Sequence, residues 1–282
     1  AYGLVFRFPA GDTAVGASLR DHGEFARPEL DFLLACAGDG PATMLDVGAN
    51  IGAISLPFAM ARPQWRVMAV EAHMKLAALV SAGASANGLS NVDVLNAAAG
   101  PEHGSVDYPD PDLDLCLNYG DLGLHLREPA STRRVLMRPL DSFAPADTRV
   151  VKMDVQGFEP AVLAGARRLR QEVRPIWLVE ACPAFPEAGA EVIRILQGDG
   201  YSLFWFYSPF VTAAPRRGAP PENPTIGDSA VVAFPPGAAS PWPLVPVKSA
   251  AESRPGYLEA YSYLARYGYA LGPPVTPPPA EA

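Results

Sequence analysis

Short apolar runs alternate with helical stripes through the middle of the chain. Thr43–Val47 is apolar and ends in a Gly-rich turn, which predicts a buried parallel strand feeding a helix over about Gly52–Ala61. Ile51, Ile54 and Phe58 fall at helical spacing, and Pro57 limits that helix to a short or kinked one. Trp65–Glu71 predicts a second strand. Met74–Ala86 predicts a helix with Leu76, Leu79 and Val80 on one side, closed by Asn87-Gly88. Val92–Asn96 predicts a third strand. The β-α-β-α-β order implies a parallel sheet with right-handed crossovers.

The rhythm then lapses. Pro109-Asp110-Pro111-Asp112 marks a loop and Val135–Met137 a short strand, so 100–142 reads as a hairpin insert. It resumes with a strand at Val150–Val155, a helix at Pro160–Arg170, a strand at Ile176–Glu180 and a helix at Glu191–Gly198. Strands at Ser202–Tyr207 and Ala230–Phe234 follow, joined by a Pro/Arg-rich loop. Ahead of all this, Glu29–Ala37 predicts a short helix. In the tail, Tyr257, Leu258, Tyr261, Leu264 and Ala265 share a helical face expected to dock on the domain. The last ten residues, PPVTPPPAEA, are expected to be disordered. Phe204–Tyr207 is an aromatic cluster whose alternation reads mainly as core.

Composition narrows the function classes. The chain has 282 residues, 49% of them hydrophobic and 18% charged, which suits one large domain with appendages and excludes wholesale disorder. No apolar run reaches the roughly 18 residues of a membrane span. The N-terminal AYGLVFRFPAGD lacks a charged stretch followed by an apolar core, so no signal peptide is expected. A net charge of −8 argues against a nucleic-acid partner. Cys36, Cys116 and Cys182 are far apart and define neither a metal site nor a disulfide framework, so a reducing, cytoplasmic setting is expected.

Three motifs carry candidate chemistry. The first is LDVGANIG, Leu45–Gly52, at a strand-to-helix turn where open α/β sheets bind ligands. Gly48 and Gly52 permit close backbone approach, and the free N–H groups at a helix start favour anionic groups. The dinucleotide fingerprint needs Gly where Asn50 stands, and Asp46 would repel a pyrophosphate. A carboxylate there suits a ligand with an amino or sulfonium cation. The second is VEAH: Glu71 ends the next strand, about 20 residues on, placed to accept both ribose hydroxyls. The third is VVKMDVQGFEP, Val150–Pro160, where Lys152, Asp154 and Glu159 converge at the sheet's carboxyl edge and Gly157 suggests a sharp turn. Each also has a plain structural reading: a βα turn, a helix-start carboxylate, and a Lys–Asp pair with an N-cap carboxylate.

These motifs, with LSNVDVLNAAAG, RPLDSF and WLVEA in this order over about Glu24–Glu180, resemble the FkbM-type family of S-adenosylmethionine-dependent methyltransferases. The family's K-x-D-x-E-G-x-E stretch reads here Lys152 to Glu159, with Gln156 in place of the usual Glu and, further upstream, His73 in place of the usual Pro. The resemblance implies a Rossmann-like class I methyltransferase fold: a mostly parallel seven-stranded sheet flanked by helices, with an antiparallel last strand. It implies S-adenosyl-L-methionine as cofactor. Asp46, Gly48, Asn50 and Gly52 then surround the methionine moiety and turn, Glu71 takes the ribose hydroxyls, and Asn96 and Ala97 lie near the adenine. Asp154 lies beside the methyl donor, and Glu180 faces the acceptor. Asp154 and Glu180 become the catalytic candidates, acting on a small-molecule hydroxyl acceptor, a bacterial sugar or natural product.

In that scheme 1–38 is an acceptor-side cover, 39–236 the methyltransferase domain, and 237–282 a Pro/Tyr-rich tail with one short helix. His125 is a possible but less favoured base, more simply read as solvent-facing. Oxygen ligands from Asp154, Glu159 and Glu180 would be available to a divalent metal, but no spacing calls for one. Two other readings stay open: a binding module without turnover, and an NAD-dependent oxidoreductase.

Overall fold

The computed structural model describes residues 1–126 and 129–272; the expectation for PPVTPPPAEA falls outside them. Two helices lead in, α1 (Val15–His22) and α2 (Arg27–Ala37). Pro28 sits in the first turn of α2, where a missing N–H leaves no broken helix bond. α1 has no counterpart among the predicted elements, because only Val15 and Leu19 of its large apolar residues are buried and two positions set no period.

β1 (Thr43–Val47), α3 (Ser55–Ala61), β2 (Arg66–Glu71), α4 (Met74–Ala86) and β3 (Val92–Asn96) form the predicted β-α-β-α-β unit. Their strands pair in parallel, with Asp46 opposite Ala69 and Val70 opposite Leu95. Every residue of β1 is buried, as expected of a central parallel strand. α3 starts three residues later than Gly52, which leaves Pro57 in its first turn.

β4 (Ala98–Ala99), β5 (Gly104–Pro109) and β6 (Thr132–Arg138) make a separate three-stranded sheet in the order β4-β6-β5. The expected hairpin is β5 with β6, Val106 facing Val135. The main sheet resumes with β7 (Thr148–Met153), followed by α5 (Glu159–Ala164) and β8 (Ile176–Glu180). Then come α6 (Pro186–Gly198), β9 (Ser202–Pro209), β10 (Gly227–Phe234) and β11 (Val245–Pro246).

The predicted helix Pro160–Arg170 is broken in two. α5 stops at Ala164 and a π-helical turn follows at Leu169–Val173. The Asp141 carboxylate accepts from the N–H groups of Arg168 and Leu169 at 2.7 and 2.9 Å, starting the second segment as an N-cap would. Arg170, at the end of the predicted helix, is buried against Asp199.

The main sheet has eight strands in the order β11-β9-β10-β8-β7-β1-β2-β3, not seven. β10, set between β8 and β9, runs antiparallel to both. The eighth strand, β11, is a two-residue piece of the tail pairing Val245 with Trp205 and Pro246 with Phe204. Proline is tolerated there because β11 lies at the edge. The predicted tail helix is likewise replaced by two 3-10 segments, Leu258–Ala260 and Ser262–Tyr267.

Tyr263 continues the edge where β11 stops. Its hydroxyl accepts from Tyr207 N–H and donates to Tyr207 C=O, both at 2.8 Å, and its ring stacks on Phe206 at 5.2 Å. Trp205, Phe206 and Tyr207 are therefore core, as their alternation suggested. Among the described residues, no helix is long and apolar enough to cross a membrane.

Candidate functional site

The carboxyl ends of β1, β2, β7 and β8 open onto a cavity of about 240 Å³. β1 ends at Asp46-Val47, and the chain turns back through Gly48 to Asn50. Gly48 has a φ of +82°, and a Cβ on it would run into the Asp154 carbonyl, so only glycine lets β1 and β7 close this tightly. Gly48 and Ala49 N–H groups donate to Val70 C=O at 2.9 and 3.1 Å. Asn50, left-handed at φ 52°, donates its N–H to Glu71 Oε2 at 2.8 Å.

Asp46 is 1% exposed. Its Oδ2 accepts from Ser55 Oγ at 2.5 Å, while Oδ1 has no hydrogen-bond partner among the described residues. Lys152 Nζ stands 3.6 Å from that oxygen, 3.5 Å from Asp154 Oδ2, and donates to Gly48 C=O at 3.2 Å. Burial works against the Lys152 ammonium, but Asp154, Asp46, Glu29 and Glu180 raise its pKa above the ordinary lysine value. It is a fixed cation inside a ring of acids.

Glu71 Oε1 accepts from His73 N–H at 2.7 Å, so both of its oxygens are held by backbone donors. Burial nonetheless lifts its pKa to about 7. On the far wall, Gln156 Nε2 reaches Asp154 Oδ1 at 2.8 Å and Glu180 Oε2 at 3.3 Å. Glu180 lies well above the carboxylate range, first through burial and then through Asp154 and Asp228. Burial, followed by Asp154 and Glu29, pushes Asp228 up as well.

The structure gathers most of the predicted residues. Asp46, Gly48, Asn50, Glu71, Ala97, Asp154 and Glu180 line the cavity. Two that were expected there do not. Gly52, φ +82°, packs under Leu56 and Val80. Asn96 turns away and braces the turn, donating Nδ2 to the C=O groups of Glu71 and Ala72 at 2.9 Å each. Glu159 also stands outside the wall, accepting from Val155 and Gly157 N–H at 2.9 and 3.2 Å. His73 caps α4, its Nδ1 accepting from Leu76 N–H at 3.3 Å. His125 packs on Phe185 with ring centroids 5.1 Å apart.

Other wall residues carry no motif. Phe25 and Phe210 stack at 5.3 Å, because Ala26 N–H donates to Phe210 C=O at 2.8 Å and buried Glu24 accepts from Thr212 N–H at 2.8 Å. Phe185 and Asp228 complete that side. The advance signal for it was the expectation that 1–38 covers the acceptor.

The donor set fits S-adenosyl-L-methionine. Buried Asp46, whose Oδ1 makes no hydrogen bond and has Lys152 Nζ 3.6 Å away, and Glu71 both line the cavity, and they are the acids that would meet a methionine ammonium and a ribose diol. Among the described residues, no group of three or more His, Cys, Asp or Glu is arranged to hold a metal ion.

Residues 46–203 match the Methyltransferase FkbM domain family. The ribosomal RNA small subunit methyltransferase G of Nitrosospira multiformis is 39% identical over 66 residues, 23% of this chain and 31% of that protein. The crystal structure of methyltransferase FkbM from Methylobacillus flagellatus KT is 17% identical with a TM-score of 0.44, covering 70% of this chain and 44% of that one. Magnesium protoporphyrin IX methyltransferase (ChlM) from Synechocystis PCC 6803 is 12% identical with a TM-score of 0.44, over 74% of this chain and 78% of that one. The chain thus spans about a third of its curated relative's length and under half of the FkbM structure's. With its glycine turn, buried acid and Lys-x-Asp strand all inside the matched residues, the chain belongs to the FkbM methyltransferase family.

Proposed function

We propose that the protein transfers a methyl group from S-adenosyl-L-methionine to a hydroxyl of a small molecule, a sugar or natural product. The observation that carries this reading is the position of Asp154. Through Lys152 it joins the Asp46 side of the cavity, and through Gln156 it joins Glu180 on the other.

When bound, the cofactor supplies the electrophilic methyl group. Asp46 and the Gly48–Asn50 turn hold its methionine end, Glu71 accepts from the ribose hydroxyls, and Ala97 borders the base. The chain's main contribution is alignment. Glu180 keeps its proton at neutral pH and donates to the acceptor; Asp154 orients the reacting hydroxyl and takes its proton. A small acceptor is favoured over RNA, because a net charge of −8 repels phosphate.

Titration calorimetry with S-adenosylhomocysteine, with NAD as control, tests the cofactor half. Labelled methyl transfer to a panel of hydroxylated acceptors tests the rest. Binding of NAD alone would overturn the reading, and cofactor binding without transfer to any acceptor would favour a non-catalytic module.

A further inference from the structure

Beside the main cavity lies a second, of about 10 Å³, between α2 and the sheet. Lys152, Asp154, Glu180 and Asp228 belong to the walls of both. The register explains why its polar groups meet. Asp228 lies opposite Ser208 on β9, and Ala230, two residues on, lies opposite Glu180 on β8. Residues two apart share a face, so Ser208, Asp228 and Glu180 look the same way, toward Glu29 on the covering helix.

Ser208 is 2% exposed, and its Oγ has no hydrogen-bond partner among the described residues. A buried hydroxyl left that way is costly unless a ligand satisfies it. The chamber has room for one water-sized group. An ammonium head is that size. Lys152 does not fill the need, because its ammonium is turned to Gly48, Asp46 and Asp154. Burial raises the Glu29 carboxyl to about 7, even though the Lys152 ammonium pulls it the other way. Outside the chamber, stacked Phe25 and Phe210 with Phe185 offer apolar walls to a flat body.

We propose that the acceptor is an amino alcohol, whose ammonium enters the chamber among Glu29, Asp228 and Ser208 while its hydroxyl faces Asp154 and Glu180. This rests on the methyltransferase reading and adds a substrate class to it. A phosphate-bearing or carboxylate-bearing acceptor would find no counter-ion among the residues lining this chamber, since the Lys152 ammonium is turned to Gly48, Asp46 and Asp154.

The test is titration of the full chain, saturated with S-adenosylhomocysteine, with phenylethanolamine, its neutral diol analogue styrene glycol, and anionic mandelate. The amine is expected to bind at least about tenfold tighter than the diol, the gain of a charge-assisted hydrogen bond, with mandelate weakest. Asp228→Asn should abolish that preference, and Ser208→Ala should reduce it, with S-adenosylhomocysteine affinity unchanged in both. Equal binding of amine and diol, binding of neither, or a preference that survives Asp228→Asn overturns the proposal and leaves a water as the chamber's occupant. Failure of S-adenosylhomocysteine to bind in the same folded sample would instead overturn the methyltransferase reading.

Discussion

The side-chain amide of Gln156 donates to Asp154 Oδ1 at 2.8 Å from a backbone held left-handed at φ 55°. The same nitrogen lies 3.4 and 3.3 Å from the two Glu180 oxygens, so one neutral group spaces two acids. Gln156→Ala should lower turnover about 10- to 100-fold, as loss of a hydrogen bond to a charged group does, while S-adenosylhomocysteine affinity holds. Gln156→Glu adds a third carboxyl and should move the acid limb of the pH–rate profile upward. An unmoved profile would make Gln156 a spectator.

Glu71 carries the pH dependence of cofactor binding. Burial raises its pKa to about 7, while N–H donation from His73 and Asn50 pulls the other way. Ribose hydroxyls donate best to the ionised form, so below about 7 the free protein must release a proton to bind. Affinity for S-adenosylhomocysteine should therefore rise about tenfold from about pH 6 to about pH 8 and be lost as pH falls. Glu71→Gln should flatten that rise; calorimetry of both forms decides it.

Asp154→Asn keeps the shape of the wall and removes the proton acceptor. Turnover should fall roughly 10²- to 10⁴-fold, with S-adenosylhomocysteine affinity within about threefold of the parent. A steady-state assay with saturating cofactor separates the two; parental turnover would remove Asp154 from catalysis.

Much of the frame was legible because it is local. β1, α4, β3 and β8 run as their apolar patterns predict, Met74–Ala86 to the residue. The glycine turn was legible for the same reason: adjacent residues carry it. Asp228 was not, since only the insertion of β10 between β8 and β9 brings it beside Glu180. Glu29 was not, since α2 must first pack across that face. Gly52 and Asn96 show the converse: their spacing marks the turn faithfully, yet they support it from behind. β11 and the 3-10 tail escaped because prolines mask the alternation and no periodic stripe is needed where hydroxyls make the contacts.

Tyr263→Phe isolates one such hydroxyl. The stacked ring stays, but Tyr207 N–H and C=O lose their partner. Two buried backbone groups left unpaired should cost about 2–4 kcal/mol and lower Tm by roughly 4–8 °C. Thermal unfolding with and without S-adenosylhomocysteine measures it; an unchanged Tm would mean water replaces the phenol.

That phenol has a consequence for how the protein behaves in company. Val245-Pro246 and Tyr263 together occupy the open side of β9, and both lie beyond the residues that match the family. A chain cut after β10 would keep every candidate site residue and still present β9 as a bare template, ready to pair with the same strand of a neighbour. The tail thus closes the β9 edge of the sheet with residues that take no part in the candidate site.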